Sequence, residues 1–134
     1  MTRVVLNSEH LEHATAELIG RCRRRLFVAT ANLKDVHLPG SRGRFQSVLE
    51  VFEELSERGV QIRVLHSGVP SGPLLGRLKE SIPANLALRR CPRMHAKAVI
   101  ADGRQMYLGS ANLTGAGLGA KSARRRNFEA GIWT

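Results

Sequence analysis

Apolar positions recur along this chain in two spacings that take turns. Leu11, Ala14, Leu18 and Cys22 form a stripe at helical steps behind a capping Ser8, and Leu26-Phe27-Val28-Ala29-Thr30 then reads as a buried strand. Gly40 to Gly43 reads as a loop. Phe45, Val48, Leu49, Phe52 and Leu55 mark the inner face of a second helix, which Gly59 stops before the alternating strand Val60-Gln61-Ile62-Arg63-Val64-Leu65. The glutamates Glu50, Glu53, Glu54 and Glu57 fall on the solvated side of that helix. Pro70 to Pro73 interrupts the chain, Leu74, Leu75 and Leu78 mark a short helix ended by Pro83, and a strand follows near Leu86 to Arg90. Strands separated by helices predict an α/β fold, a single domain over 1–134 whose sheet is flanked by helices.

The last third carries a hairpin signal. Asp102-Gly103 lies between two runs of strand formers, and both residues tolerate positive φ, as a two-residue turn requires. An antiparallel hairpin makes the sheet mixed. Pairing Ala101 with Arg104 sets Lys97 opposite Leu108 and His95 opposite Ser110, with Asn112 one diagonal step away. One face then gathers an imidazole, an ammonium, a hydroxyl and a carboxamide. The other face, with Ala96, Ala98, Ile100, Tyr107 and Gly109, suits packing against a helix. The polar set fits a phosphodiester, since it offers a nucleophile or proton carrier, a cation for non-bridging oxygens, and neutral donors.

The same residues form the spacing HxK(x)4D(x)6GSxN, complete as His95, Lys97, Asp102, Gly109, Ser110 and Asn112, and Asn127-Phe128-Glu129 follows as an NxE element. This pattern resembles the HKD signature of the phospholipase D superfamily, in particular its short single-motif endonuclease branch, and implies a phospholipase D-like half domain. The resemblance implies that His95 attacks phosphorus to give a phosphohistidine while a second copy of that histidine protonates the leaving oxygen. Lys97, Ser110 and Asn112 would bind phosphate oxygens, and Glu129 would accept a hydrogen bond from a histidine ring nitrogen and so fix its tautomer. Asp102 belongs to the motif's catalytic set, but its place in the turn and its parity opposite to His95 assign it to shaping the hairpin.

That chemistry needs two histidines, and His10, His13, His37 and His66 begin no further HxK. A symmetric homodimer that brings two copies of His95 together resolves the shortage. Thr30-Ala31-Asn32-Leu33-Lys34 echoes Ser110-Ala111-Asn112-Leu113-Thr114 but has no upstream histidine, so it reads as coincidence or a shared strand exit. The chain stops at Ile132-Trp133-Thr134, early for the resembled family, as a fragment would or as an edge covered by a partner element.

Composition narrows the partner. Lysine and arginine number 21 against 11 acidic residues, a formal net charge of +10 over 134 residues, which implies a polyanion. Basic clusters stand at Arg23-Arg24-Arg25, at Arg89-Arg90 with Arg93, and at Lys121 with Arg124-Arg125-Arg126. The last follows Gly115, Gly117 and Gly119 on what reads as a flexible loop. It either solubilises the protein or reaches a nucleic-acid backbone, and its nearness to Ser110 and Asn112 favours the second. Nucleic acid, DNA ahead of RNA, is the expected substrate. A phospholipase fits the motif alone, against only 4% aromatic residues and no amphipathic membrane helix, and a non-catalytic nucleic-acid module fits the charge alone. No apolar run is long enough to span a membrane and no signal segment opens the chain, so a cytoplasmic protein is expected. Cys22 and Cys91 have no paired spacing and read as thiols in a reducing compartment. No cofactor is called for. A metal is not expected either, and His10 with His13 read as ordinary surface histidines.

Overall fold

The computed structural model describes residues 1–34, 37–39, 44–70, 72–118, 124–125 and 127–134. Along them run the strands β1 (Arg3–Leu6), β2 (Arg25–Thr30), β3 (His37–Pro39), β4 (Phe45–Ser47), β5 (Gln61–His66), β6 (Leu86–Arg90), β7 (Ala98–Ala101), β8 (Gln105–Gly109) and β9 (Ala130–Trp133). A π-helix covers Leu11–Ile19, and three α-helices follow: α1 (Val48–Glu57), α2 (Pro73–Glu80) and α3 (Gly115–Leu118). The fold is α/β, as the alternating spacings predict. β2, β5 and β6 pair in parallel, while β7, β8, β9 and β1 add antiparallel, giving one mixed sheet in the order β1-β9-β8-β7-β2-β5-β6.

Strand alternation decides which side of the sheet is covered. Leu26 and Val28 on β2, Ile62 and Val64 on β5, and Val99 on β7 are buried in one core with Leu18, Ile19, Leu49, Phe52, Leu55 and Leu74 from the helices. On the opposite face Val4, Leu108 and Ile132 are exposed. Helix α1 starts later than the apolar stripe implies. Ser47 accepts the Glu50 N–H while Glu50 reaches back to the Ser47 N–H, a reciprocal cap that fixes the first turn. Phe45, expected on the helix's inner face, therefore falls in the short β3–β4 pair and is 63% exposed. The Gly40 to Gly43 loop lies outside the described residues.

The first helix also departs from expectation. Leu18 and Cys22 are buried as its stripe predicts, but His10 is fully buried rather than a surface residue. Its Nδ1 lies 2.7 Å from Asn7 O, and its ring meets Tyr107 edge-on at 5.3 Å. His13 pairs with Glu17 at 2.8 Å.

At the hairpin turn Asp102 (φ 55) and Gly103 (φ 67) both adopt left-handed backbone, as an Asp-Gly pair allows. The Asp102 carboxylate folds back onto the start of β2 and accepts N–H bonds from Arg23 at 3.0 Å, Arg24 at 2.7 Å and Arg25 at 3.0 Å, with Cys22 Sγ donating at 3.4 Å. Partial burial pushes this carboxyl's pKa up, but the bonds from Arg25, Arg23, Arg24 and Cys22 outweigh it and hold it at about 2. Burial, followed by its hydrogen bond to Asp102 and then that carboxylate's charge, pushes the Cys22 thiol up, which keeps it a donor. Cys22 and Cys91 are both free thiols.

The depressed pKa sets a pH window. Stability from these bonds is complete above the ordinary carboxyl value of 3.8 and is lost as pH falls towards 2. Asp102→Ala should cost about 1–3 kcal/mol near neutrality, because three backbone donors lose a charged acceptor. Urea titrations at pH 7 and near pH 2 check this: the gap from the parent chain should shrink at the lower pH, and an equal gap at both would refute the account.

Candidate active site

The β7–β8 ladder differs by one residue from a simple two-residue turn. Ala101 pairs with Gln105, and Asp102, Gly103 and Arg104 make a three-residue connection in which Arg104 N donates to Ala101 O at 3.0 Å. Asp102 is drawn onto β2, and Arg104 becomes the extra residue between turn and ladder. A one-residue slip exchanges faces. Tyr107 pairs with Val99 and is 2% exposed on the helix-covered side, while Ala98 and Ile100, expected to pack on a helix with it, lie on the other face. Lys97 faces Gly109, whose N–H donates to Lys97 O at 3.1 Å, so His95 is not directly across from Ser110.

The expected polar residues still gather at one edge of the sheet, because β7 begins only at Ala98 and β8 ends at Gly109. This edge holds the C-terminal ends of β2 and β8 and the N-terminal ends of β7 and β9. Lys97 is 8% exposed, and its Nζ donates to His95 Nδ1 at 3.1 Å and to His95 O at 3.0 Å. An ammonium has no lone pair, so His95 Nδ1 is the acceptor and a neutral ring carries its proton on Nε2. Ser110 Oγ donates to Glu129 Oε2, and Ala130 N donates to Ser110 Oγ at 3.0 Å. Asn127 Nδ2 donates to Glu129 Oε1 at 3.1 Å. Among the described residues of one chain, Glu129 meets no histidine. Asp102 stands at the opposite end of β7, just past Ala101.

Asn112 Oδ1 accepts from Asn32 N at 3.1 Å, and Thr30 Oγ1 lies 3.3 Å away. The repeated Thr30-Ala31-Asn32-Leu33 and Ser110-Ala111-Asn112-Leu113 segments thus leave parallel neighbouring positions together, joined by a bridge between Leu33 and Leu113. The echo is a shared strand exit. The glycine-rich stretch expected as a flexible loop begins instead as α3, where Gly117 sits so close that a Cβ would lie 2.5 Å from Asn112 O. Arg124 and Arg125 are exposed, while Lys121 and Arg126 lie outside the described residues. Among the described residues no cluster of histidine, cysteine and carboxylate side chains could hold a metal, and no helix is long and apolar enough to cross a membrane.

Tyr107 is the supporting residue that the motif does not mark. Its ring lies across the paired Gly109 and Gly131, and its hydroxyl accepts the Ala111 N–H at 3.2 Å. Burial first, and then the Glu129 charge, push its pKa up, so the hydroxyl stays neutral beneath the site. Gly109 belongs to the motif, but only the structure pairs it with Gly131. A Cβ on Gly109 would lie 2.4 Å from Tyr107 Oη, 2.6 Å from Gly131 Cα and 2.7 Å from Ala130 O. Gly109→Ala should therefore destabilise the fold by about 1–3 kcal/mol. Adding Tyr107→Phe should not restore it, since the two backbone contacts remain. Chemical denaturation of both variants measures this, and a neutral Gly109→Ala would refute the contact.

A family model described as cardiolipin synthase, PLD-like domain, matches residues 15–134. No curated protein sequence matches the chain. Among solved structures the chain is similar to Nuc from Salmonella typhimurium, described as a phospholipase D family member, with a TM-score of 0.69 at 15% identity over 99% of this chain and 81% of that one. It is also similar to NucT from Helicobacter pylori, with a TM-score of 0.67 at 14% identity over 99% of this chain and 84% of the other. A third likeness is to TrmBL2, an archaeal chromatin protein described as showing a novel mode of DNA binding, with a TM-score of 0.55 at 18% identity over 98% of this chain and 44% of that protein. At these identities the structural likeness is one of fold.

Proposed function

The chain belongs to the phospholipase D-like domain family, and on that premise we propose that it is a phosphodiesterase that cleaves nucleic acid, DNA ahead of RNA, in a site completed by a second copy of the chain. The observation that carries this reading is the gathering of His95, Lys97, Ser110, Asn112 and Glu129 at one sheet edge of a protein with net charge +10. Exposed arginines at Arg89, Arg90, Arg93, Arg124 and Arg125 supply a surface for a phosphate backbone.

In the proposed reaction His95 Nε2 attacks phosphorus and forms a P–N bond. The P–O bond to the leaving group breaks, and the second subunit's histidine donates its proton to the departing oxygen. Water then attacks phosphorus, the P–N bond breaks, and that histidine takes the water's proton back. Lys97 and the Asn112 carboxamide hold the non-bridging oxygens. The His95–Lys97 hydrogen bond has to be exchanged before attack. It favours the tautomer with hydrogen on Nε2, whereas attack needs that nitrogen bare and the proton on Nδ1. A carboxylate must then meet Nδ1, and Glu129, which meets no histidine among the described residues of its own chain, is placed by this reading against the histidine of the other subunit.

Incubation with labelled single- and double-stranded DNA and RNA in excess chelator tests the reaction class. DNA cleavage should survive EDTA, because Lys97 and the paired histidines carry the positive charge. Loss of cleavage in chelator with recovery in magnesium would overturn the metal-free mechanism. A phospholipid substrate is the second reading, favoured by the matching family model's description, so anionic phospholipid vesicles belong in the same assay. Lipid hydrolysis without nucleic-acid cleavage would transfer the activity to that class, and DNA binding without turnover would indicate a binding module.

The shared site has its own test. His95 is exposed, so His95→Asn should leave folding intact while lowering turnover by more than the roughly 10²–10⁴-fold of a lost acid or base. When this variant and the parent chain exchange subunits, activity should fall faster than the parent fraction. A linear dependence on that fraction, or a fully active monomer, would show that each subunit works alone.

A further inference from the structure

We propose that Thr30, outside the motif, is a positioning residue that holds the Asn32 backbone against the Asn112 carboxamide and so keeps its NH2 end towards the substrate, an inference that rests on the phosphodiesterase reading. Thr30 ends β2 and is 1% exposed. Its Oγ1 accepts the Leu113 N–H at 2.9 Å and donates its single proton to Asn32 O at 2.6 Å or to Asn112 Oδ1 at 3.3 Å. The Asn32 N–H also points at Asn112 Oδ1, at 3.1 Å. Turning the carboxamide over would set its NH2 against the Asn32 N–H, donor to donor, so the carbonyl end is fixed inward. The Asn32 loop cannot drift away, because Ser67 Oγ and Gly68 N both hold Ala31 O at 2.9 Å.

The consequence falls on Asn112 Nδ2. With Oδ1 occupied, the NH2 group has no protein partner among the described residues and is left for the sheet edge that carries Lys97 and Ser110. A non-bridging phosphate oxygen needs a donor there, whereas a carbonyl would repel it. The two echoed segments therefore divide one task. Asn112 presents the donor, and Thr30 with the Asn32 backbone forms the frame that aims it.

The test compares Thr30→Val, which removes the hydroxyl at nearly constant shape, with Thr30→Ser, which keeps it, on labelled DNA and on bis(p-nitrophenyl) phosphate. Thr30→Val should lower kcat about 10- to 100-fold with KM little changed, and Thr30→Ser should recover most of the loss. In an Asn112→Ala background Thr30→Val should cause no further fall, since the frame then holds nothing. A parent-like kcat for Thr30→Val, or losses that multiply in the double variant, would overturn the inference. Should Thr30→Val not fold, Thr30→Ala, which also removes the hydroxyl but with less crowding at the Leu113 N–H, takes its place with the same expected loss of kcat, and a parent-like kcat for it would overturn the inference. If the parent chain hydrolyses no phosphodiester, that reading falls, and the ¹⁵N–¹H signals of the Asn112 carboxamide still test the positioning. The pair should be dispersed in the parent and Thr30→Ser chains and collapse towards free-amide positions in Thr30→Val. An unchanged pair would sink it.

Discussion

The N–H bonds that the Asp102 carboxylate accepts from Arg23, Arg24 and Arg25 lock the hairpin turn to the start of β2, and the candidate site takes its position from that register. With Asp102 committed to β2, the ladder begins one residue later, at Ala101 and Gln105. Tyr107 is thereby turned onto the helix-covered face. There it can lie across Gly109 and Gly131 and hold Ala111, the residue between Ser110 and Asn112. Asp102, at the far end of β7 from His95, thus contributes through geometry.

The covered Tyr107 organises the neighbouring elements in turn. His10 packs edge-on against its ring from the entry to the π-helix, and Glu129 lies close enough for its charge to act on the phenol. Asn7 joins these parts, since its carbonyl meets the His10 ring while its Oδ1 accepts the Glu129 N–H at 3.0 Å. The NxE segment is therefore fixed by β1 and the first helix as well as by its hydrogen bond with Ser110.

Much of this was legible in the sequence wherever one local rule governed the outcome. The helical and strand spacings fixed the α/β class, and the Asp-Gly pair fixed the positive φ values of the turn. The motif spacing located the residues that meet at one edge. What escaped were features decided by a second, distant segment. The ladder slip depends on backbone donors at residues 23–25, and the burial of His10 depends on Tyr107. Phe45 continues the apolar stripe of a helix in its spacing, while the reciprocal Ser47–Glu50 cap sets the helix start beyond it. The Thr30–Asn112 contact leaves only a short repeated pentapeptide as its trace, and a repeat does not reveal that its two copies touch.

The burial of Lys97 separates two kinds of positive charge in this protein. The ammonium is 8% exposed and has already exchanged most of its hydration shell for His95 before any substrate arrives, whereas Arg89, Arg93, Arg124 and Arg125 are exposed to solvent. Mobile ions weaken the long-range field of the arginines within roughly 8–10 Å at ordinary ionic strength, but they have little access to Lys97. In the proposed reaction, capture of a polyanion and retention of a single phosphate would thus be governed by different solvents, bulk electrolyte for the first and the protein interior for the second.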